Sequence, residues 1–276
     1  MGHDLTICLA AICGSGKQII MIADAMLTSE YLSIQFEQKT PKIMPLCDCC
    51  MLATAGDALV HVELLDRAMP EIERAKSPAV SEIVGCLTKS YKQMRLDRIK
   101  TMILEKRGIE NLETFYTNQR QMVPDVAMAI QGEIDTYDSG LDLLVAGKDS
   151  KGAHIHQIIN PGISIPFDAI GYQAIGSGLP HAMTTFIANN YHSSMPLEKA
   201  LLIAYEAKKV SEKAPGVGSQ ITNISIINDK GHSDMTDEQV ARLESIYQSK
   251  LKNQDASANW PQLEGEIKKL ISNVVS

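Results

Sequence analysis

The chain has 276 residues, of which 45% are hydrophobic and 21% charged, and its formal net charge is -7 at pH 7. This length suits one large domain or two small ones, and the acidic balance argues against nucleic acid or an anionic membrane as a partner. The sequence predicts no membrane span and no secretory signal. Six cysteines in so long a chain do not indicate a disulfide framework, so we expect free thiols in a reducing cytoplasm.

The N-terminal part predicts a β-hairpin. A short leader, residues 1–5, precedes Thr6, and two apolar strands then meet at a glycine-rich turn over 14–16. The second strand ends at Asp24. Because both strands are apolar on both faces, we expect other layers of the protein to cover them on both sides.

A more polar, extended stretch is predicted over 31–39. Lys42 then begins a segment that leads to a turn at 47–50, and a buried strand is expected over 51–54. Residues 55–58 end that strand and open a helix.

Two consecutive helices are predicted next. The first should bury a face formed by Leu59, Val62, Leu65, Met69 and Ile72. The second is expected to start at Ser77 and Pro78 and to end near Lys106, before Gly108. Its predicted apolar face consists of Val80, Val84, Leu87, Tyr91 and Met94. Residues 95–126 are interpreted as a helical insertion, with a short helix around 112–119.

The chain is predicted to return to strands from residue 127, at 142–146, 153–159, 163–175 and 221–227. Pro180 and Pro196 each suit the first turn of a helix. Thr236 and Gln239 form a capping box for a last helix that reaches about Lys252, and residues 253–276 are interpreted as a C-terminal extension. The paired helices argue against a doubly wound sheet and predict an α+β fold with two antiparallel sheets between helix layers.

Four local motifs have ordinary explanations. The stretch CGSGK over 13–17 departs from a phosphate-binding loop at Ala11 and Gln18, so a hairpin turn is expected. The stretch IGSG over 175–178 lacks the first glycine of a nucleophile elbow. Neither the cysteines at 47, 49 and 50 nor the histidines at 154 and 156 come with enough further ligands for a zinc site. We therefore expect free cysteines, a solvated histidine pair, and no metal or cofactor.

Thr6, Asp24 and Lys42 are the candidate catalytic residues. A threonine hydroxyl needs a nearby base, and cleavage before Thr6 would supply a free α-amine, while a lysine and a carboxylate downstream could support it. Each residue alone also fits a plain structural role, as a strand start, a strand end and a surface lysine. The surrounding pattern decides between these interpretations.

Several segments resemble, in order, the landmarks of proteasome subunits: LTICLAAIC, IIMIADAMLTS, KTPKIMPL, LATAGDALV, DLLVAGKDSKGAHIHQI, AIGSGLPHA and SQITNISIINDKG. The likeness is strongest to bacterial proteasome-related proteins of the N-terminal nucleophile (Ntn) hydrolase superfamily. It implies that residues 6–252 form a four-layer αββα sandwich, and that the protein assembles into a homo-oligomer.

The resemblance also implies roles for five residues. Thr6 matches the nucleophile exposed by removal of the leader, Asp24 the acidic residue, and Lys42 the active-site lysine. Ser177 matches a serine that positions the threonine amine, and the backbone N–H near Ala53 lies where the oxyanion hole is expected. The implied activity is that of a threonine-type amide hydrolase acting on a peptide or protein.

Two departures from the family pattern keep other functions open. Leu5 stands where the family usually has glycine before the cleaved bond, and a register one residue earlier would place Leu5 at the nucleophile position. The stretch over 213–219 lacks the aspartate that often precedes the last core strand. The alternatives are a catalytically silent structural subunit and a hydrolase of a small amide.

Overall fold

The structure is a computed structural model, and it describes residues 6–29, 34–37, 42–75, 78–252 and 260–275. Within these ranges the strands are β1 (Cys8–Cys13), β2 (Gln18–Asp24), β3 (Met26–Ser29), β4 (Ile34–Glu37), β5 (Ile43–Cys47), β6 (Cys50–Gly56), β7 (Leu141–Asp149), β8 (Gly152–Ile159), β9 (Ile163–Pro166), β10 (Tyr172–Ile175), β11 (Thr222–Asn228) and β12 (Gly231–Asp234). The α-helices are α1 (Ala58–Arg74), α2 (Val80–Ile99), α3 (Leu112–Asn118), α4 (Pro124–Asp135), α5 (Leu179–Ala188), α6 (Leu197–Ser211), α7 (Asp237–Lys252) and α8 (Trp260–Val275).

Ten of these strands form two antiparallel five-stranded sheets. The first has the order β10-β1-β2-β11-β12, and the second has the order β5-β6-β7-β8-β9. Among the described residues, the remaining strands, β3 and β4, pair with each other and with no other strand. The predicted mixed architecture with two antiparallel sheets is therefore confirmed.

Side-chain alternation along β1 shows how the layers stack. Leu9 and Ala11 pack into a core with α5, α6, α7 and α8, whereas Cys8 and Ala10 face residues of the second sheet. The outer face of the second sheet packs against α1 and α2. Since both faces of each sheet are covered, the nearly continuous apolar character of β1 and β2 is explained.

The predicted N-terminal hairpin is confirmed, with Cys8 opposite Ala23. Its turn uses left-handed backbone at Gly14, Ser15 and Gly16, and the N–H of Gly14 donates to the carbonyl of Met195 at 2.7 Å. The CGSGK stretch is thus a hairpin turn, as expected.

The predicted apolar face of α1 was wrong in part. Ile72 is buried as predicted, and Leu65 and Met69 are partly buried against the same core, but Leu59 is 60% exposed and Val62 is 48% exposed. The buried positions of the helix are Val60, Leu64, Ala68 and Ile72. These residues lie four apart, and the helix begins after Asp57, which caps the N–H of Leu59. The contact with the second sheet therefore lies on a face rotated from the predicted one.

The predicted buried face of α2 is confirmed, but its predicted start was early. The helix begins at Val80, and the carboxylate of Glu82 accepts from the N–H of Ala79 at 3.0 Å; Ser77 lies outside the described residues. Beyond Ile99 the helix continues as π-helical and 3-10 turns to Gly108, whose left-handed backbone ends it.

The insertion contains more helix than predicted. The short helix α3 is confirmed, but the expectation that strands resume from residue 127 was wrong, because α4 occupies Pro124–Asp135. Ile130 and Ile134 of α4 pack with Ile99, Ile103 and others in a separate small core.

Strand bounds also differ from the expectation. β7 extends through Asp149, where a polar turn was expected from 147, and the 163–175 stretch divides into β9 and β10. β3 and β12 were not predicted, whereas β4 lies within the extended stretch that was expected over 31–39. Of the expected extended stretch over 31–39, residues 31–33 and 38–39 lie outside the described residues.

The C-terminal region supplies a helix to the main core. Thr236 and Gln239 form the predicted capping box at the start of α7. Leu263, Ile267 and Leu270 of α8 are buried in the same core as α5, α6 and α7. The last helix, α8, therefore belongs to the same helix layer as α5, α6 and α7.

Candidate functional site

Thr6 and Asp24 meet where β1 begins and β2 ends. The hairpin register places these two ends side by side, and the N–H of Asp24 donates to the carbonyl of Ile7 at 3.1 Å. The Thr6 hydroxyl donates to Oδ1 of Asp24 at 2.5 Å. Thr6 is 3% exposed and Asp24 is fully buried, so the carboxylate must be satisfied by protein groups.

Lys42 brings the second sheet to this site. It directly precedes β5, and its ammonium donates to the Thr6 hydroxyl and to Oδ1 of Asp24, the latter at 2.8 Å. The lysine is itself buried. A threonine hydroxyl, a carboxylate and an ammonium, taken from both sheets, therefore converge in one buried cluster.

Backbone groups complete the solvation of Asp24. The N–H of Ile7 lies 3.3 Å from Oδ1, and the N–H of Gly218 donates to Oδ2 at 2.7 Å. With Thr6 and Lys42, four donors surround the two carboxylate oxygens. Such charge-assisted hydrogen bonds offset much of the cost of burying an ionised carboxylate.

The turn over 176–178 holds the main chain of Thr6. The N–H of Gly178 donates to the carbonyl of Thr6 at 3.1 Å, and the Ser177 hydroxyl lies 3.4 Å from the same oxygen and 3.2 Å from the carbonyl of Pro215. Gly176 has a φ of +88°, and a Cβ there would lie 2.4 Å from the Thr6 carbonyl oxygen. Glycine is required at this close approach.

Ala53 lies in the middle of β6, opposite Ile43 on one side and Leu144 on the other. Its side chain belongs to the core between the sheets, together with Cys8. The structure thus brings Thr6, Asp24, Lys42 and Ser177 into contact, and it places Ala53 within a paired strand. The oxyanion-hole role of its N–H stays a prediction.

Cys8 lies next to the cluster, but its thiol is protonated and therefore a poor nucleophile. Its thiol donates to the carbonyl of Thr54 at 3.5 Å. Burial raises the pKa of Cys8 to about 12, although the nearby charge of Lys42 acts in the opposite direction. Because the thiol stays neutral at physiological pH, Thr6 is the better candidate for a nucleophile.

Sequence reasoning missed the backbone contributions to the site. The stretch over 213–219, which lacks the family aspartate, supplies the Gly218 N–H to Asp24 and the Pro215 carbonyl to Ser177. Backbone groups carry no residue-type signal. The glycines at 176 and 178 are a sequence signal from which a close approach of the backbone could have been predicted.

The other candidate ligands have different surroundings. His154 bridges Asp168 and Asp149 at 2.7 and 3.2 Å, and His156 lies 3.1 Å from the Ser164 hydroxyl. The histidines are thus bound to protein groups, where a solvated pair was expected. All six cysteines are free thiols. Across the described ranges, no group of three or more acidic, histidine or cysteine side chains is arranged to hold a metal ion.

In comparisons with known proteins, the chain matches no protein-family model and no curated protein sequence. Among the helices of the described ranges, none combines the length and apolar character needed to cross a bilayer.

Proposed function

We propose that this protein is a threonine-type amide hydrolase that uses Thr6 as an N-terminal nucleophile after cleavage of the Leu5–Thr6 bond. The observation that carries the proposal is the buried contact of the Thr6 hydroxyl with both Asp24 and Lys42. A stack of two antiparallel sheets with helices outside also agrees with the Ntn-hydrolase resemblance in the sequence.

The proposed reaction starts from the free α-amine of Thr6, a group with an ordinary pKa of about 7.7–8.0. This amine takes the hydroxyl proton while Oγ1 attacks the substrate carbonyl carbon. The proton then passes to the leaving amine as the amide C–N bond breaks, which leaves an ester on Thr6. Water hydrolyses the ester, releases the acid and restores the hydroxyl.

Lys42 and Asp24 have distinct proposed roles. The positive charge of Lys42 disfavours protonation of the neighbouring amine and stabilises the developing alkoxide. Asp24 holds that ammonium in place through its 2.8 Å ion pair. Ser177 fixes the Thr6 main chain, and the N–H near Ala53 is proposed to stabilise the oxyanion.

The proposed substrate is a peptide or protein, and the proposed assembly is a homo-oligomer. Both follow from the resemblance to proteasome subunits. Light scattering coupled to size-exclusion chromatography should give at least twice the mass of one chain, which is 30.2 kDa before the leader is removed. A mass of one chain would contradict the assembly proposal without affecting the catalytic one.

A catalytically silent structural subunit is the second candidate. The observation in its favour is the 3% exposure of Thr6, since a substrate needs access to the hydroxyl. Under this proposal the buried cluster would stabilise the fold, and the Leu5–Thr6 bond would stay intact.

The deciding experiment combines the intact mass of the purified protein with hydrolysis of fluorogenic peptides and of a small acyl amide. We expect a chain that begins at Thr6, activity that Thr6→Ala abolishes, and partial activity in Thr6→Ser. Full activity in Thr6→Ala would exclude the proposal. An unprocessed, inactive chain would favour the structural subunit, and cleavage of the small amide alone would replace the peptide as substrate.

A further inference from the structure

The turn between β5 and β6 places two cysteines directly opposite each other. Cys47 ends β5, Cys50 begins β6, and a two-residue turn joins them. The two residues are Cα partners in the antiparallel register. Such partners have Cα atoms about 4.5 or 5.5 Å apart, and a disulfide spans Cα atoms about 4.4–6.8 Å apart. The backbone of this turn is therefore already arranged for a bond between the two sulfurs.

Both side chains lie on the same face of the second sheet. Cys50 is 1% exposed in the core between that sheet and the helices α1 and α2, and Cys47 packs against the same core. The register shifts between Pro45 and Cys47. This shift adds one residue to β5, and it brings Cys47 rather than Leu46 opposite Cys50.

The third cysteine of the turn has a different partner. The thiol of Cys49 donates to the carbonyl of Asn228 at 3.9 Å, so its sulfur is directed toward the end of β11 in the first sheet. The Cys50 sulfur leans toward Gly147 on β7, because a Cβ at that glycine would lie 2.9 Å from it. Formation of a bond to Cys47 therefore includes a rotation of the Cys50 side chain between staggered rotamers.

A cavity of about 620 Å³ gives access to these sulfurs. It is lined by all three cysteines of the turn and by Lys148 and Asp229. The side chain of Asp229 is 79% exposed, so the cavity opens to solvent. Cys47 is half-buried, whereas burial raises the pKa of Cys50 well above its ordinary value. Because the thiolate is the reactive form, a small oxidant should react with Cys47 first.

We propose that Cys47 and Cys50 form a reversible oxidation site that takes a hydroperoxide as its substrate and yields a disulfide across the β5–β6 turn. The Cys47 thiolate attacks the O–O bond and becomes a sulfenic acid, while the second oxygen leaves and takes up a proton. The Cys50 sulfur then bonds to the Cys47 sulfur, and the thiol proton of Cys50 leaves with the hydroxyl group as water. The two thiols together lose two electrons, which reduce the peroxide. This site does not depend on the proposed hydrolase function.

Mass spectrometry of the full-length chain tests the proposal, with hydrogen peroxide as the probe. All six cysteines are free thiols, and we expect peroxide to remove two of them with the loss of two hydrogen atoms, which dithiothreitol should reverse. Cleavage before each aspartate separates residues 24–47 from 48–56. These two fragments should stay joined, and fragment-ion sequencing should assign the bond to Cys47 and Cys50. Oxidation that leaves the two fragments separate, or a bond from Cys47 to Cys49, would overturn the proposal.

Three variants assign the roles. Cys49→Ser, in the same turn and the same cavity, is the matched control and should still form the bond. Cys47→Ser should lose it. In Cys50→Ala the reaction should stop at the sulfenic acid on Cys47, which dimedone traps, whereas the unmodified chain should give little of this adduct. Equal trapping in both proteins, or loss of the bond in Cys49→Ser, would contradict the proposal. The fragment map of the unmodified chain requires no variant, so it decides the question even if a variant does not fold.

Discussion

At the scale of single residues, the site depends on how closely two segments approach each other. The carbonyl of Thr6 sits against the 176–178 turn, and Gly176 leaves no room for a side chain. Gly108 has the same left-handed backbone at the end of the α2 extension, but nothing lies within 4 Å of where its Cβ would be. Comparing an alanine substitution at each of these two glycines therefore distinguishes the free-energy cost of left-handed backbone from the cost of a steric clash.

Gly108→Ala should destabilise the protein by about 1–2 kcal/mol, the cost of left-handed backbone. Gly176→Ala should cost about 2–5 kcal/mol, because overpacking against Thr6 adds to that strain. Urea unfolding of the two variants measures both costs. Equal losses would show that the turn gives way easily, in which case it does not fix Thr6.

Asp142 on β7 offers a pH-dependent test of burial. Burial, with a further contribution from the charge of Asp138, raises the pKa of Asp142 to about 6. The native state then holds the proton more tightly than the unfolded chain, so stability from this group is present below about pH 4 and lost as pH rises through about 6.

Asp142→Asn should therefore stabilise the protein by about 1–3 kcal/mol at pH 8 and have little effect at pH 4. Thermal unfolding at the two pH values tests this. The control is Asp66→Asn, on the exposed side of α1. This substitution should change the melting temperature by the same amount at both pH values. If Asp142→Asn were less stable than the unmodified protein at pH 8, the raised pKa of Asp142 would be contradicted.

At the scale of elements, α1 shows how packing selects a helix face. Both Leu59 and Leu64 suit an apolar stripe, yet Leu59 is 60% exposed and Leu64 is fully buried. The choice follows from where the preceding strand β6 ends and from the Asp57 cap, which together fix the rotation of the helix against the second sheet.

Leu64→Ala should cost about 2–5 kcal/mol, because it leaves a cavity in the core between α1 and the second sheet. Leu59→Ala should change stability by no more than about 0.5 kcal/mol. Chemical denaturation of the pair compares identical substitutions within one helix. A larger loss of stability in Leu59→Ala than in Leu64→Ala would support the buried face that the sequence pattern predicted.

At the scale of the whole molecule, the last helix belongs to the structure that carries the site. α8 packs in the core of the first sheet with α6, and Ser211 of α6 in turn donates a hydrogen bond to Gly178 in the 176–178 turn. Its buried residues include Leu263, Ile267 and Ile271. The segment after residue 252 is therefore expected to contribute to stability.

Deleting residues 253–276 should expose this apolar surface, lower the melting temperature by several degrees and increase binding of a hydrophobic dye. Ser276 alone can be deleted as a control for the shortened terminus, and should change neither measurement. A chain ending at residue 252 that melts like the full-length protein would place α8 outside the cooperative unit.

The sequence by itself determined the hairpin, the order of sheets and helix pairs, the capping box and the candidate residues Thr6, Asp24 and Lys42. The hairpin, the helix pairs and the capping box depend on local periodicity and turn residues, whereas the three candidate residues were selected by the family resemblance of the segments around them. The helix α4, the buried face of α1 and the bounds of β7 could not be predicted as reliably, because neighbouring layers select among patterns that are locally similar. The Gly218 N–H on Asp24 and the complete burial of Lys208 are decided only by tertiary structure. A backbone group has no residue-type signal, and a lysine in sequence does not reveal which face of the sheet will bury it.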